Sequence, residues 1–184
     1  EVSFVLILAI FIKIFMGMLL LAPNQHWHLH LFTDIWAWMD FIKSSAAGKI
    51  PFVDFQKEYP VGAGVIYWFF AKVIADPNNN ELFLRFHVVA MSVVDVACTF
   101  LVYRVIKITA PGRAVVGALV YALLPTGLIL SPIRFESVVL FFVLAGIWAR
   151  LENKKDLAVL LWAIGGTIKW FPLFFVFVQW LEDF

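Results

Sequence analysis

Three charged residues lie inside long apolar segments of the sequence, where an ionised side chain is costly. Asp95 is near the middle of one such segment, and Lys13 and Lys169 are at similar depths in two others. A charged group within a membrane-spanning helix costs several kcal/mol, so each needs a partner or a function. One interpretation is an ion pair in which Asp95 joins two helices through Lys13 or Lys169. The other is a polar cavity that reaches into the bilayer from the outer surface.

A second group of candidates lies in the polar segment 22–81. Asp34 follows a tract with three histidines, 25–30 (QHWHLH), and opens an amphipathic stretch. Histidines at every second position share one face of a strand and can bind a transition metal, but a single tract without further ligands predicts no metal site. Asp34 has two interpretations. Its carboxylate either stabilises the positive end of a helix or receives the headgroup of a lipid-linked substrate.

Two loop segments carry the remaining candidates. The segment 48–60 (GKIPFVDFQKEYP) contains Glu58 and Tyr59, and its glycine and proline residues predict a defined turn. A short loop further along the chain contains Arg134 and Glu136. Taken alone, the first segment is interpreted as a solvated loop and the second as a surface ion pair.

The composition indicates the environment in which these residues lie. Hydrophobic residues make up 63% of the 184-residue chain and charged residues 15%, whereas soluble domains have roughly half and a quarter. The sequence therefore predicts a multi-pass protein of the cell membrane, with the lipid bilayer as a partner. A net charge of +1 provides no basic face for a nucleic acid. Cys98 is the single cysteine, so a disulfide within the chain and a cysteine metal site are excluded.

The apolar segments predict the fold class. A helix needs about 20 apolar residues to cross a bilayer, and the segments that meet or approach this length are Val2–Leu21, Leu82–Ile106, Ala114–Leu130, Phe135–Leu151 and Leu157–Trp180. The short basic loops 104–113 and 150–156 should face the cytoplasm, which places the loop 22–81 outside. The predicted fold is all-α, a polytopic membrane helix bundle with about five spanning helices.

The long first outer loop is expected to contain two membrane-parallel helices. In 34–47 (DIWAWMDFIKSSAA) apolar side chains recur at helical spacing and include two tryptophans, which is typical of an interfacial helix. The segment 60–75 begins with proline and contains two glycines and a lysine, so it is too short and too broken to span. The whole chain, 1–184, is interpreted as a single transmembrane domain and, from its first and last residues, as part of a longer protein.

Several short motifs resemble one enzyme family. They are the G-K-I-P-F-V-D-F…E-Y-P turn, R-F-E-S, N-K-K-D-L-A and G-G-T-I-K-W-F-P. With the early aspartate of the first outer loop, they resemble the polyprenyl-phosphate-sugar-dependent glycosyltransferases of the GT-C class, in particular the mannosyltransferases. The resemblance runs over nearly the whole chain and covers the N-terminal part of such enzymes.

The resemblance implies roles for individual residues. Asp34 matches the acidic residue taken as catalytic base or acceptor-orienting group, and Glu136 falls where a second acidic motif is expected. Candidates for binding the substrate are Arg85, Arg134, Lys169, Glu58 and Tyr59. The implied reaction moves a hexose, with mannose as the expected sugar, from a polyprenyl-phosphate donor to an acceptor at the outer membrane face. No cofactor is predicted, and a divalent metal ion is left open.

Two other functions fit the same sequence. The chain could be a non-catalytic membrane subunit with a GT-C-like fold that packs against other membrane proteins in a larger complex. It could also be a transporter that uses Asp95 and Lys169 as relay groups, although transport does not require the long outer loop. If the chain is an enzyme, we expect Asp34, Arg134, Glu136 and Lys169 to line one outward-facing cavity, with the Glu58–Pro60 turn at its rim.

Overall fold

The computed structural model describes residues 2–21, 33–55, 59–124 and 128–182, and all regular structure in them is helical. A single bridge between Pro51 and Phe55 is the only β-type pairing within these residues. The all-α fold class is therefore confirmed for the described part of the chain. Its helices are α1 (Val2–Leu20), α2 (Thr33–Ala46), α3 (Val61–Val73), α4 (Asn80–Thr109), α5 (Ala114–Leu123), α6 (Glu136–Leu151), α7 (Lys155–Ile168) and α8 (Leu173–Glu182).

Helix α4 is the longest element and the axis of the fold. It has 30 residues and, among the described residues, is the one helix long and apolar enough to cross a membrane. Asn79 caps it, since its side-chain oxygen accepts a hydrogen bond from the Leu82 amide at 3.0 Å. Helices α1, α5 and α6 all pack against α4. The helices found in the other predicted spans are shorter than those spans. For the spans 114–130 and 157–180 the shortening has a clear physical cause.

The predicted span 114–130 ends early. Helix α5 stops at Leu123, and Leu124 has extended backbone angles, φ −56° and ψ 131°. The cause is Pro125, because a proline disfavours the helical conformation of the residue before it.

The predicted span 157–180 is two helices rather than one. Helix α7 ends at Ile168, Lys169 is extended, and α8 begins at Leu173. Pro172 has no amide hydrogen to continue the helix, and Gly165 lets its ring approach closely, since a Cβ at Gly165 would lie 3.3 Å from Pro172. Trp162 of α7 stacks on Phe175 of α8 at 5.5 Å between ring centroids, so the two helices form an antiparallel hairpin.

Ion pairs bring several helix ends together at one end of the molecule. Arg104, near the end of α4, lies 3.7 Å from Glu152, which follows α6. Arg150, at the end of α6, donates to Glu182 of α8 at 3.0 Å. The segments 104–113 and 150–156, which carry the basic residues and include the ends of α4 and α6, therefore lie at the same end.

Helices α2 and α3 lie near the start of α4, at the other end of the bundle. Trp38 of α2 stacks on Tyr67 of α3 with 3.9 Å between ring centroids. The Tyr67 ring in turn lies parallel to that of His87 in α4, at 5.9 Å. This aromatic stack is the centre of the largest hydrophobic cluster among the described residues. Helices α2 and α3 cover, within two residues, the segments predicted as interfacial helices.

Candidate functional site

The charged residues predicted within apolar helices belong to two separate ion pairs. Lys13 of α1 places Nζ 2.5 Å from Oδ2 of Asp95 in α4, and both side chains are 2% exposed. The hydroxyl of Tyr121 in α5 donates to the other carboxylate oxygen, Oδ1, at 2.7 Å. Three helices thus meet at the Asp95 carboxylate. Lys169, the alternative partner, bonds to Glu136 instead.

Lys169 is paired with Glu136. Its Nζ lies 2.9 Å from Glu136 Oε1, and the two side chains are 39% and 40% exposed. Glu136 is the first residue of α6, where the positive helix end favours a carboxylate. Lys169 is available because the chain between α7 and α8 leaves the helical conformation at that residue. The break that shortens the predicted last span therefore also positions this lysine.

A cavity of about 430 Å³ extends between the Asp95 carboxylate site and the Glu136–Lys169 pair. Arg134 and Glu136 line it together with Asp95 and Tyr121. The remaining lining residues are Leu124, Leu130, Ser131, Ser137, Leu140 and Phe171. A cavity with mostly apolar walls and a few convergent polar groups is the usual form of a small-molecule site. This cavity is our candidate functional site.

Glu136 is the carboxylate best arranged for proton transfer in this cavity. Its Oε1 bonds to Lys169. Its Oε2 is buried and has no hydrogen-bond partner among the described residues. A buried carboxylate oxygen without a donor is uncommon, because its desolvation is then uncompensated. An oxygen atom of this kind can accept the proton of a bound hydroxyl group.

An aromatic group places α2 beside the Glu136 segment. Trp38 contacts Phe135 edge-on, with ring centroids 5.6 Å apart. Tyr59 contacts the same two rings, at 5.0 Å from Trp38 and 5.3 Å from Phe135. Lys169 Nζ also lies over the Phe135 ring, 5.8 Å from its centroid. Tyr59 therefore lies beside Phe135, the residue before Glu136, but neither Tyr59 nor Lys169 is among the residues that line the cavity.

Two of the predicted site residues lie partly or wholly outside the described residues. Asp34 belongs to the first turn of α2, four residues before Trp38, but its side chain lies outside the described residues. Glu58 and the histidine tract 25–30 lie outside them as well. The structure thus brings the helix of Asp34 to the Glu136 segment and leaves the position of its carboxylate undescribed.

Arg85 lies in a different place from the other predicted cations. It pairs with Glu81 one turn before it on α4, and both side chains are well exposed. It lines a second, larger groove between α1 and α4, and it does not line the cavity of Arg134 and Glu136. Arg85 is therefore separate from Arg134, and its predicted role in binding the substrate stays a prediction.

Sequence reasoning missed four polar or aromatic contributors to the site. Tyr121, Ser131, Ser137 and Phe171 line the cavity but were not singled out. Ser131 and Ser137 hydrogen-bond to each other through their hydroxyls at 2.8 Å, which closes the loop between them. A tyrosine within an apolar segment and two serines around a charged loop were the available signals.

Among the described residues there is no group of three or more His, Cys, Asp or Glu side chains that could hold a metal ion. The described part of the site thus offers cations and carboxylates rather than a ligand set. The chain matches no protein-family model, no curated protein and no solved structure.

Proposed function

We propose that the chain is a multi-pass protein of the cell membrane. The support is the distribution of side chains over the helices, which is the reverse of that in water. On α1, Ile7 and Phe11 are each 67% exposed while Lys13 is buried. On α5, Val116 is 63% exposed while Ala118 is fully buried. Small residues at helix contacts and large apolar residues outside are typical of helices packed in lipid.

The same pattern extends over most of the molecule. Other exposed large residues are Val65 and Phe69 of α3, Val89 and Val93 of α4, Leu160 of α7, and Phe174 and Phe177 of α8. Monomeric soluble proteins rarely leave such continuous apolar surface in contact with water. A hydrocarbon environment removes this cost and also explains why the buried charges are paired.

The membrane orientation can be tested by cysteine labelling. In a Cys98→Ala background, we expect Asn79→Cys to react with an impermeant maleimide from outside and Lys154→Cys to react only after permeabilisation. The reason is that basic loops are retained on the cytoplasmic side, and both positions are exposed at the surface. Equal labelling of both positions in intact cells, or the reverse pattern, would contradict the proposed topology.

Within this membrane placement, we infer that the cavity is the site of a hexosyltransferase that uses a polyprenyl-phosphate donor. The observation that carries the inference is that Glu136, whose Oε2 has no hydrogen-bond partner among the described residues, lines one cavity together with Arg134. Sugar transfer from a lipid phosphate requires both groups: a base for the acceptor and a cation for the leaving phosphate.

The proposed reaction is a single inverting displacement. The acceptor hydroxyl oxygen forms a bond to the anomeric carbon while the bond from that carbon to the phosphate oxygen breaks. Glu136 Oε2 takes the hydroxyl proton, and Lys169 orients the carboxylate through Oε1. The electron pair of the broken bond remains on the polyprenyl phosphate, whose charge Arg134 stabilises. Asp34 would orient the acceptor from the helix beside the site, and mannose is the expected sugar.

The role of Asp34 is tested by Asp34→Asn. We expect this variant to lose sugar transfer, measured in membranes with a radiolabelled polyprenyl-phosphate hexose, while its thermal stability is unchanged, because shape is kept and the carboxylate is lost. Asp40→Asn is the matched control, since Asp40 is exposed on the same helix. Transfer at the wild-type rate by Asp34→Asn would remove Asp34 from the mechanism.

The main alternative is a non-catalytic membrane subunit with the same fold. It predicts no transfer by the unsubstituted chain with any polyprenyl-phosphate hexose, together with stable association with other membrane proteins. The assay of the unsubstituted chain therefore separates the two proposals before any variant is made.

A further inference from the structure

A groove with a volume of about 900 Å³ lies between α1 and α4. Its walls are mainly apolar, and none of the described residues that line it is acidic. Its polar lining consists of Arg85, Lys13 and Ser92, and its apolar lining includes Val93 and Val96 of α4. An elongated apolar groove with a cation near one end is suited to an anionic amphiphile.

The length of the groove corresponds to one leaflet of a bilayer. From Arg85 to Val96 the groove follows three turns of α4, or about 16 Å at 1.5 Å per residue. Half of the hydrocarbon core of a bilayer is about 15 Å. With Arg85 at the headgroup level, the deep end of the groove lies near the bilayer centre, where Lys13 pairs with Asp95.

The groove is separate from the cavity proposed for sugar transfer. The described structure gives no residue that lines both. The Lys13–Asp95 pair stands between them, because Lys13 lines the groove and Asp95 lines the cavity. A lipid held in the groove would therefore not bring its headgroup to Glu136.

We propose that this groove binds an anionic phospholipid of the surrounding leaflet, with its acyl chains along α1 and α4 and its phosphate at Arg85. The exposed pair of Arg85 with Glu81 is worth little by itself, and a guanidinium has five N–H donors, so the phosphate can bind without displacing Glu81. The proposal rests on the membrane placement proposed above and is independent of sugar transfer.

The headgroup contact is tested by native mass spectrometry of the purified chain with added phosphatidylglycerol or phosphatidylcholine. We expect the unsubstituted protein to retain phosphatidylglycerol at least five-fold more than phosphatidylcholine, and Arg85→Gln to lose this preference. Arg113→Gln is the control, because it removes the same charge at the opposite end of α4 and should leave the preference intact. A preference unchanged in Arg85→Gln, or absent from the unsubstituted protein, would overturn the proposal.

The acyl-chain contact is tested by filling the groove. Val93 is 65% exposed in the groove wall, and Val116 is 63% exposed on α5 outside it. We expect Val93→Trp to lose bound lipid of either headgroup, several-fold, and Val116→Trp to retain it. Equal retention by both variants would overturn the proposal. So would a dimer of the unsubstituted chain that Val93→Trp dissociates, since it would assign the groove to a second copy.

Sugar-transfer assays on the same variants distinguish lipid binding in the groove from the proposed transfer reaction in the cavity. Because the groove does not include Glu136 or Arg134, Val93→Trp should release lipid while transfer continues. Failure of the lipid assay leaves the transfer proposal standing, and failure of the transfer assay leaves the lipid measurement valid.

Discussion

Asp95→Asn is expected to lower the free energy of unfolding by about 3 kcal/mol, because removing one member of a buried ion pair leaves an uncompensated charge. The Asp95 and Lys13 side chains are both 2% exposed, so water cannot solvate the ammonium that remains. Asparagine keeps the side-chain shape and can still accept the hydrogen bond from Tyr121. The loss therefore reports on the charge rather than on packing. Reversible unfolding of the purified protein in mixed micelles would measure it.

The double variant Lys13→Met/Asp95→Asn is expected to recover most of this stability, because the charge and its partner are both removed. Glu152→Gln is a matched control, since Glu152 pairs with Arg104 at 3.7 Å with both side chains more than a third exposed. It should cost less than about 1 kcal/mol. If Asp95→Asn were no more destabilising than Glu152→Gln, or if the double variant were less stable than the single one, the pair would have no role in holding α1 to α4.

Glu136→Gln is expected to reduce sugar transfer by about 10²–10⁴-fold, the usual contribution of a general base. Glutamine is close in shape to glutamate, and its oxygen can still accept a hydrogen bond from Lys169, but it cannot take up the acceptor proton. Because the Glu136–Lys169 pair is 39–40% exposed, the variant should lose less than about 1 kcal/mol of stability. Initial rates at saturating donor, measured beside the unfolding midpoint, would separate the two effects.

Lys169, the ion-pair partner of Glu136, provides a second variant for comparison. Lys169→Gln is expected to lower transfer less than Glu136→Gln does, because it removes the group that orients the base rather than the base itself. Glu152→Gln, at the other end of α6, should transfer sugar at the unsubstituted rate. Transfer by Glu136→Gln at the unsubstituted rate would exclude Glu136 as the base. A loss of transfer accompanied by an equal loss of folded protein would assign Glu136 a structural role.

The sequence indicated that the charged residues within its apolar segments need partners. A lone carboxylate such as Asp95 in an apolar helix must be compensated, and two lysines at similar depth were the available cations. Which lysine compensates it depends on the helix register and on where a helix ends. Lys13 is in the middle of a continuous helix facing α4. Lys169 lies at a break and pairs with Glu136 at the surface.

The helix breaks mark the limit of prediction from apolar length. Hydropathy measures how well a segment tolerates lipid, but it does not register that a proline disfavours the helical conformation of the residue before it, as at Leu124, or that Pro172 cannot continue the hydrogen bonding of a helix. The sequence contained both prolines, and the spans 114–130 and 157–180 were nevertheless predicted as continuous. Arg85 illustrates the same limit for charge: its type suits a phosphate, but its position on α4 directs it to the groove beside α1.

By itself, the sequence determined the helical class, the apolar surface, the clustering of basic residues in two short loops and the need to pair Asp95. These follow from composition and from local periodicity, which act through neighbours along the chain. Only the tertiary structure decided that Asp95 and Tyr121 share the cavity of Arg134 and Glu136, and that Arg85 and Lys169 are not among the residues that line it. Such proximity depends on how helices cross and where they stop. These properties arise from contacts between residues far apart in the chain, so no local pattern encodes them.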